Sequence, residues 1–138
     1  MAIGFSQIEG VDYEETFAPI ARYTFIRSII SIAAEMGWKI HQMDVKTVFL
    51  NGIIQEEVYI GQPQGLEVHG KESHMCRLKK ALFVLKQAPR AWYSCIDTHL
   101  QQLGFTKSKV DLNLYYIVVG EDPLILVLYV DDLFVTGA

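Results

Sequence analysis

The strongest constraint on this chain lies near its C-terminus, in Leu124–Ala138 (Leu-Ile-Leu-Val-Leu-Tyr-Val-Asp-Asp-Leu-Phe-Val-Thr-Gly-Ala). Seven apolar or aromatic residues run into two adjacent carboxylates, Asp131 and Asp132, and a second apolar run follows at once. A run of this length, rich in β-branched residues, reads as a strand buried on both faces. Carboxylates set between two such runs are costly, because buried charge must be paired or must hold a metal. They also repel one another unless positive charge intervenes. No basic residue follows Lys109, so that charge is not local. A hard divalent cation, magnesium or manganese, is the simplest candidate. The alternative is a plain hairpin with Asp-Asp in a solvated turn, a position aspartate favours in any case.

With 138 residues, 51% of them hydrophobic, the chain is long enough for one domain with its own core. Met1–Gly10 lacks the basic flank and apolar run of a signal peptide. Glu121, Asp122, Asp131 and Asp132 cut the C-terminal apolar stretch too short for a bilayer, so no membrane partner is expected. Two cysteines, Cys76 and Cys95, fit a reduced intracellular protein better than a disulfide scaffold. The formal net charge of −4 argues against a simple nucleic-acid coat. Yet Arg77, Lys79, Lys80, Lys86 and Arg90, five of the twelve basic residues, fall within fourteen positions. They make either a local basic surface or an ordinary solvated face.

Taken in order, Gly4–Pro19 has no helical period and reads as an extended, partly exposed lead-in. Thr24 is placed to cap a helix reaching Met36, with Gly37 as its left-handed stop. Ile26, Ile29, Ile30 and Ala33 form its buried stripe. Trp38–Asp44 alternates as a strand, putting Ile40, Gln42 and Asp44 on one face. Val45–Leu50 reads as a helical turn closed by Asn51-Gly52, Glu57–Ile60 as a strand, and Gly61–Ser73 as loop. Pro89 opens a second helix with Trp92, Ile96, Leu100 and Leu103 inward and Gly104 at its end. Leu114–Val119 is a strand, turned by Gly120–Pro123 into the one that reaches Asp131. This order implies an α+β fold: an antiparallel sheet with helices packed on one face.

Four blocks then become specific: Gln42-Met43-Asp44-Val45-Lys46-Thr47, Phe49-Leu50-Asn51-Gly52, Leu85-Lys86-Gln87-Ala88-Pro89-Arg90-Ala91-Trp92-Tyr93 and Tyr129-Val130-Asp131-Asp132. In this order they resemble the reverse transcriptase, an RNA-directed DNA polymerase, of copia-type LTR retrotransposons. The similarity runs from about Gly4 to the C-terminus. It implies the palm and part of the fingers of a right-hand polymerase, a single partial domain over 1–138 with the thumb and RNase H domain absent. The implied reaction is nucleotidyl transfer from a dNTP to a primer 3′-hydroxyl. Two magnesium (or manganese) ions about 3.5–4 Å apart would activate that hydroxyl and clamp the pyrophosphate. Asp44 and Asp131 would be the principal ligands and Asp132 secondary, with Val45 completing the metal-binding set. Thr47, Val48, Phe49, Phe83 and Val84 would line the nucleotide site. There Phe49 lies under the sugar and disfavours a 2′-hydroxyl, unless it is simply a core phenylalanine. Lys86, Gln87 and Arg90 lie in the block that would approach nucleotide and template, and with Tyr129 they would bind the RNA or DNA template and primer. Other implied partners are the rest of the polyprotein (thumb, RNase H, integrase), and the implied location is a cytoplasmic virus-like particle.

The chain also departs from the family. Phe83-Val84 stands where Tyr-Gly is usual, and glycine there lets backbone approach a ligand closely. The lead-in Met1-Ala2-Ile3-Gly4 replaces the end of a segment that normally carries basic fingers residues. Against an active module stands the alternative of a non-catalytic relic that keeps the fold and binds nucleic acid weakly. A zinc site from His69, His74, Cys76, Cys95 and His99 is a third reading, although their spacing matches no compact zinc module. No Gly-x-Ser-x-Gly elbow and no phosphate-binding Gly-x-x-x-x-Gly-Lys loop is present.

Overall fold

The computed structural model describes residues 6–14, 16 and 20–138. Of the expected lead-in Gly4–Pro19, residues 4, 5, 15 and 17–19 lie outside the described residues, as does all of Met1–Gly4. In chain order the elements are α1 (Tyr23–Met36), β1 (Ile40–Asp44), a 3₁₀ turn (Val48–Asn51), β2 (Tyr59–Gly61), β3 (Met75–Arg77), α2 (Ala88–Gln102), β4 (Thr106–Lys107), β5 (Leu114–Val119), β6 (Asp122–Tyr129) and β7 (Asp132–Gly137). Among the described residues, two antiparallel sheets and two helices make the α+β class expected from the sequence. The residues gather into two compact units, and the division falls within α2. One holds the described residues before 17 with Thr47–Cys95, the other those from Ile20 to Lys46 with Ile96–Ala138.

The second unit is built on a five-stranded sheet of order β1-β7-β6-β5-β4. Its central strand β6 is the apolar run itself, and Leu126, Val127 and Leu128 are all buried although neighbours point to opposite faces. Both faces are therefore covered. On the Val127 face, Ile26, Ile29 and Ile30 of α1 meet Ile40, Val127, Phe134 and Thr136 around a small apolar cavity. On the other face, the Tyr115 hydroxyl donates to Asp97 Oδ1 of α2 at 2.8 Å. The register sets Tyr115 opposite Leu126 and Val127 opposite Phe134, so these contacts fall on different faces. The expectation that helices pack on one face is thus corrected. A strand apolar at consecutive positions needs cover on both sides, and each helix supplies one.

Helix α1 also starts differently from the expectation. Its N-cap is Arg22, with no side-chain cap, rather than Thr24. The Arg22 N–H donates instead to Asp111 Oδ2 at 3.0 Å, so a buried carboxylate from far along the chain meets the helix start, where anions are favoured. Gly37 ends the helix in the left-handed region, as expected. In α2, Trp92, Ile96 and Leu100 are buried, but Leu103, expected on the same face, is 56% exposed beyond the helix end. The two-residue strand β4 has too few residues to show a period and went unseen in the sequence.

Asp97 ties α2 to the sheet, accepting from Tyr115 and from Lys107 Nζ, each at 2.8 Å. Burial alone would raise this carboxyl. Hydrogen bonds from Lys107, Tyr115 and Gln101, with the Lys107 charge, outweigh burial and hold it below its ordinary value. A carboxyl lowered in the folded state adds stability above its unfolded pKa, and that stability is lost as pH falls through the folded value. Asp97→Asn is expected to cost about 1–3 kcal/mol at neutral pH in urea unfolding. Its deficit against the parent should shrink below about pH 4.

In the first unit, β2 and β3 form a small hairpin, and the 3₁₀ turn ends at Gly52, whose N–H donates to Phe49 O. A Cβ on Gly52 would stand 2.7 Å from Trp92 N and 2.9 Å from the Ala91 carbonyl carbon. Helix backbone cannot retreat as a side chain tip can. Gly52→Ala should therefore destabilise the fold by about 1–3 kcal/mol in equilibrium denaturation, the usual scale of overpacking.

Candidate active site

Strand pairing brings the distant carboxylates together. In β1 against β7 the register runs from Ile40↔Thr136 to Asp44↔Asp132, so Asp44 and Asp132 are directly opposed on one sheet face. Asp131 lies in the two-residue turn of the β6–β7 hairpin, because Tyr129 pairs with Asp132. The Val45 N–H donates to Asp131 O at 3.0 Å, which anchors the chain after β1 to that turn. Val130 adopts φ 56°, a conformation strained for a β-branched residue, and so stores strain beside the carboxylates. Asp44 is exposed, and Asp131 and Asp132 are half-buried.

Like charges directly opposed on neighbouring strands destabilise a sheet. Among the described residues, no Lys, Arg or His forms an ion pair with any of the three aspartates. Gln42 Nε2 donates to Asp132 Oδ1 at 3.0 Å, answering one carboxylate oxygen. Oxygen-only donors are what a hard divalent cation takes, and the Asp44–Asp132 pair supplies donors of that kind. A third ligand is not gathered with them: no three His, Cys, Asp or Glu side chains among the described residues lie close enough to hold a metal. The same holds for the histidines and cysteines of the zinc reading. Cys76 is exposed and Cys95 half-buried.

Tyr129 shares the face of Asp132 and Asp44 by pairing. Its hydroxyl lies 3.1 Å from that of Tyr23, and the two rings are 6.1 Å apart. The hydrogen bond with Tyr23 raises the Tyr129 phenol above its ordinary value.

The remaining candidates belong to the first unit. Phe49 is buried at 8% exposure, edge-on to Phe83 with ring centroids 5.0 Å apart, while Phe83 is 78% exposed. Val48 is buried and Val84 about half exposed. Thr47 takes a left-handed conformation (φ 52°) before the 3₁₀ turn, and its carbonyl accepts the Leu50 N–H. Lys86 and Arg90 are exposed, whereas Gln87 is 1% exposed. Arg90 lines an open cavity of about 790 Å³. Among its described lining residues, Asp12, Glu14, Glu56 and Glu57 share the wall with that single cation. From the basic cluster, Arg77 pairs with Glu57 at 3.1 Å, both side chains largely exposed.

A family model described as "Reverse transcriptase (RNA-dependent DNA polymerase)" matches residues 1–138. The chain belongs to the reverse transcriptase family. Among its relatives is the retrovirus-related Pol polyprotein from transposon TNT 1-94 of Nicotiana tabacum, 43% identical over 135 residues. Those residues are 97% of this chain and 10% of that protein. The Pol polyproteins from transposons RE2 and RE1 of Arabidopsis thaliana are 41% and 39% identical over 137 residues, 99% of this chain and 9% of each relative. The resemblance to copia-type reverse transcriptases, drawn from four short blocks, therefore holds along almost the whole chain. The chain spans about a tenth of the length of these relatives. No solved structure matches.

The family that the chain belongs to is one of nucleotidyltransferases. Sequence reasoning missed two residues beside the aspartates, Gln42 and Tyr23. Gln42 had a signal, since strand parity put it on the face of Asp44. Tyr23 had none, because only tertiary folding brings the α1 start to the hairpin. Tyr23→Phe should return the Tyr129 phenol toward its ordinary value, read as a lower midpoint in a phenolate absorbance titration.

Proposed function

We propose that this chain is the palm, with part of the fingers, of a retrotransposon RNA-directed DNA polymerase, extending a primer 3′-hydroxyl with deoxynucleotides. The observation that carries the reading is the register Asp44↔Asp132, with Asp131 in the adjoining turn. Residues nearly ninety positions apart are held with like charges face to face. Such opposition is worth keeping where a cation is to be held. Asp44 and Asp132, joined by Asp131, whose carboxylate is not gathered with theirs in this structure, and by Val45 beside the turn, would hold two magnesium or manganese ions. Bound there, such ions supply Lewis acidity that favours deprotonation of a hydroxyl and neutralises charge on transferring phosphate.

The chain's own residues do the positioning. The β6–β7 hairpin holds Asp132 at the start of a hydrogen-bonded strand and Asp131 in the turn before it, and the Val45–Asp131 bond holds the end of β1 against that turn. Phosphoryl transfer rests on such pre-set charge rather than on covalent chemistry by the protein. Thr47, Val48, Phe49, Phe83 and Val84 are assigned to the nucleotide, with Phe49 under the sugar. Its burial equally suits a core ring capped by Phe83. Lys86, Gln87, Arg90 and Tyr129 are assigned to template and primer, whose phosphates position the duplex without reading sequence. Thumb, RNase H and integrase segments of a longer polyprotein, and a cytoplasmic particle, belong to the same proposal.

Purified protein with primer, template and magnesium should extend the primer. Asp131→Asn should lower the rate at least roughly a hundredfold, the scale of losing one charge-stabilising group, with unfolding unchanged. A folded parent that extends no primer with either metal would make the chain a non-catalytic relic.

A further inference from the structure

At the level of the opposed aspartates one row of paired residues crosses the sheet: Ile20, Tyr129, Asp132 and Asp44. Cross-strand partners share a face, so Tyr129 stands beside the carboxylates. It is the face that α1 covers, because Val127 and Phe134 lie two residues from Tyr129 and Asp132 along β6 and β7. Tyr23, the first residue of α1, meets the row from the helix. Its hydroxyl lies 3.1 Å from that of Tyr129, and the two rings are tilted by 48°. Tyr23 is 64% exposed, and so open a phenol could bond to water instead.

A brace shared by both tyrosines accounts for the contact. Buried Asp111 accepts the Arg22 N–H through Oδ2 at 3.0 Å and the Asn113 N–H through Oδ1 at 2.9 Å. Asn113 O in turn accepts the Leu128 N–H at 2.8 Å. Arg22 precedes Tyr23, and Leu128 precedes Tyr129. One carboxylate thus ties down the backbone next to each phenol, which lowers the entropy lost when their hydroxyls bond.

We propose that Tyr23 is a positioning residue whose hydroxyl holds the Tyr129 ring alongside Asp132, as a fixed wall beside which a primer end reaches the carboxylates. The link rests on the hydrogen bond and the brace alone, while its use rests on the polymerase reading above. A strand by itself leaves a tyrosine more than one rotamer. The bond to Tyr23 selects one of them.

Tyr23→Phe removes the hydroxyl and keeps the ring, so packing and ring-current fields stay. In the full chain without ligand, labelled with ¹³Cζ-tyrosine, the Tyr129 resonance (assigned by its loss in Tyr129→Phe) should shift in Tyr23→Phe. A resonance that stays in place in the folded variant overturns the link. With magnesium and a primer–template, Tyr23→Phe should lower kcat/KM for primer extension about fivefold, the scale of one hydrogen bond. In a Tyr129→Phe background the same substitution should change kcat/KM less than about twofold, because Tyr23 acts through Tyr129. Equal losses in both backgrounds, or none in either, overturn the positioning role. Should the folded parent extend no primer, the polymerase reading falls and the proposed use with it, while the resonance still decides the link.

Discussion

The antiparallel register of β1 on β7 is the constraint on which the candidate site depends. Side chains alternate along a strand, so a slip of one residue would send Asp44 to the far face and turn Ile40 and Gln42 with it. Several features pin that register. Ile40, opposite Thr136, meets the α1 isoleucines only in this alignment. Thr136 donates its hydroxyl to Lys39 O at 2.9 Å, fastening the start of β1, and Val45 N–H to Asp131 O fastens its end. A hydrophobic strand fit thereby aligns two carboxylates that would otherwise avoid each other.

The apolar run of β6 explains why the sheet needs both helices. Consecutive buried residues leave neither face for water, so α1 covers one and the Ile96–Gln102 part of α2 lies on the other. The same demand explains the polar contacts inside this unit. Asp97 with Lys107 and Tyr115, and Asp111 with Arg22 and Asn113, each satisfy carboxylates that packing has drawn out of water.

Much of this was legible in the residues. The helix stop at Gly37, a turn after β5 (read as Gly120–Pro123, though Asp122 and Pro123 already belong to β6), the placement of Asp44 at a strand end and the run into Asp131 follow from periodicity and turn chemistry. Other features were not. Thr24 has the right chemistry for a cap, but Asp111 reaches the helix start from a distant loop, and no local pattern announces such a contact. Leu103 keeps the helical spacing of Trp92, Ile96 and Leu100, yet the helix ends before it. Periodicity assumes that the element continues.

By itself the sequence determined which residues are apolar at which period, where the chain turns, and which family its four blocks belong to. These are local or inherited properties, carried by residue type and order. Only the tertiary structure decided that Asp44 faces Asp132 rather than Asp131, that the helices divide between two faces, and that Tyr23 meets Tyr129. Each depends on the register and direction of pairing between segments far apart along the chain. Those are set by the burial of whole surfaces together, which no single stretch encodes.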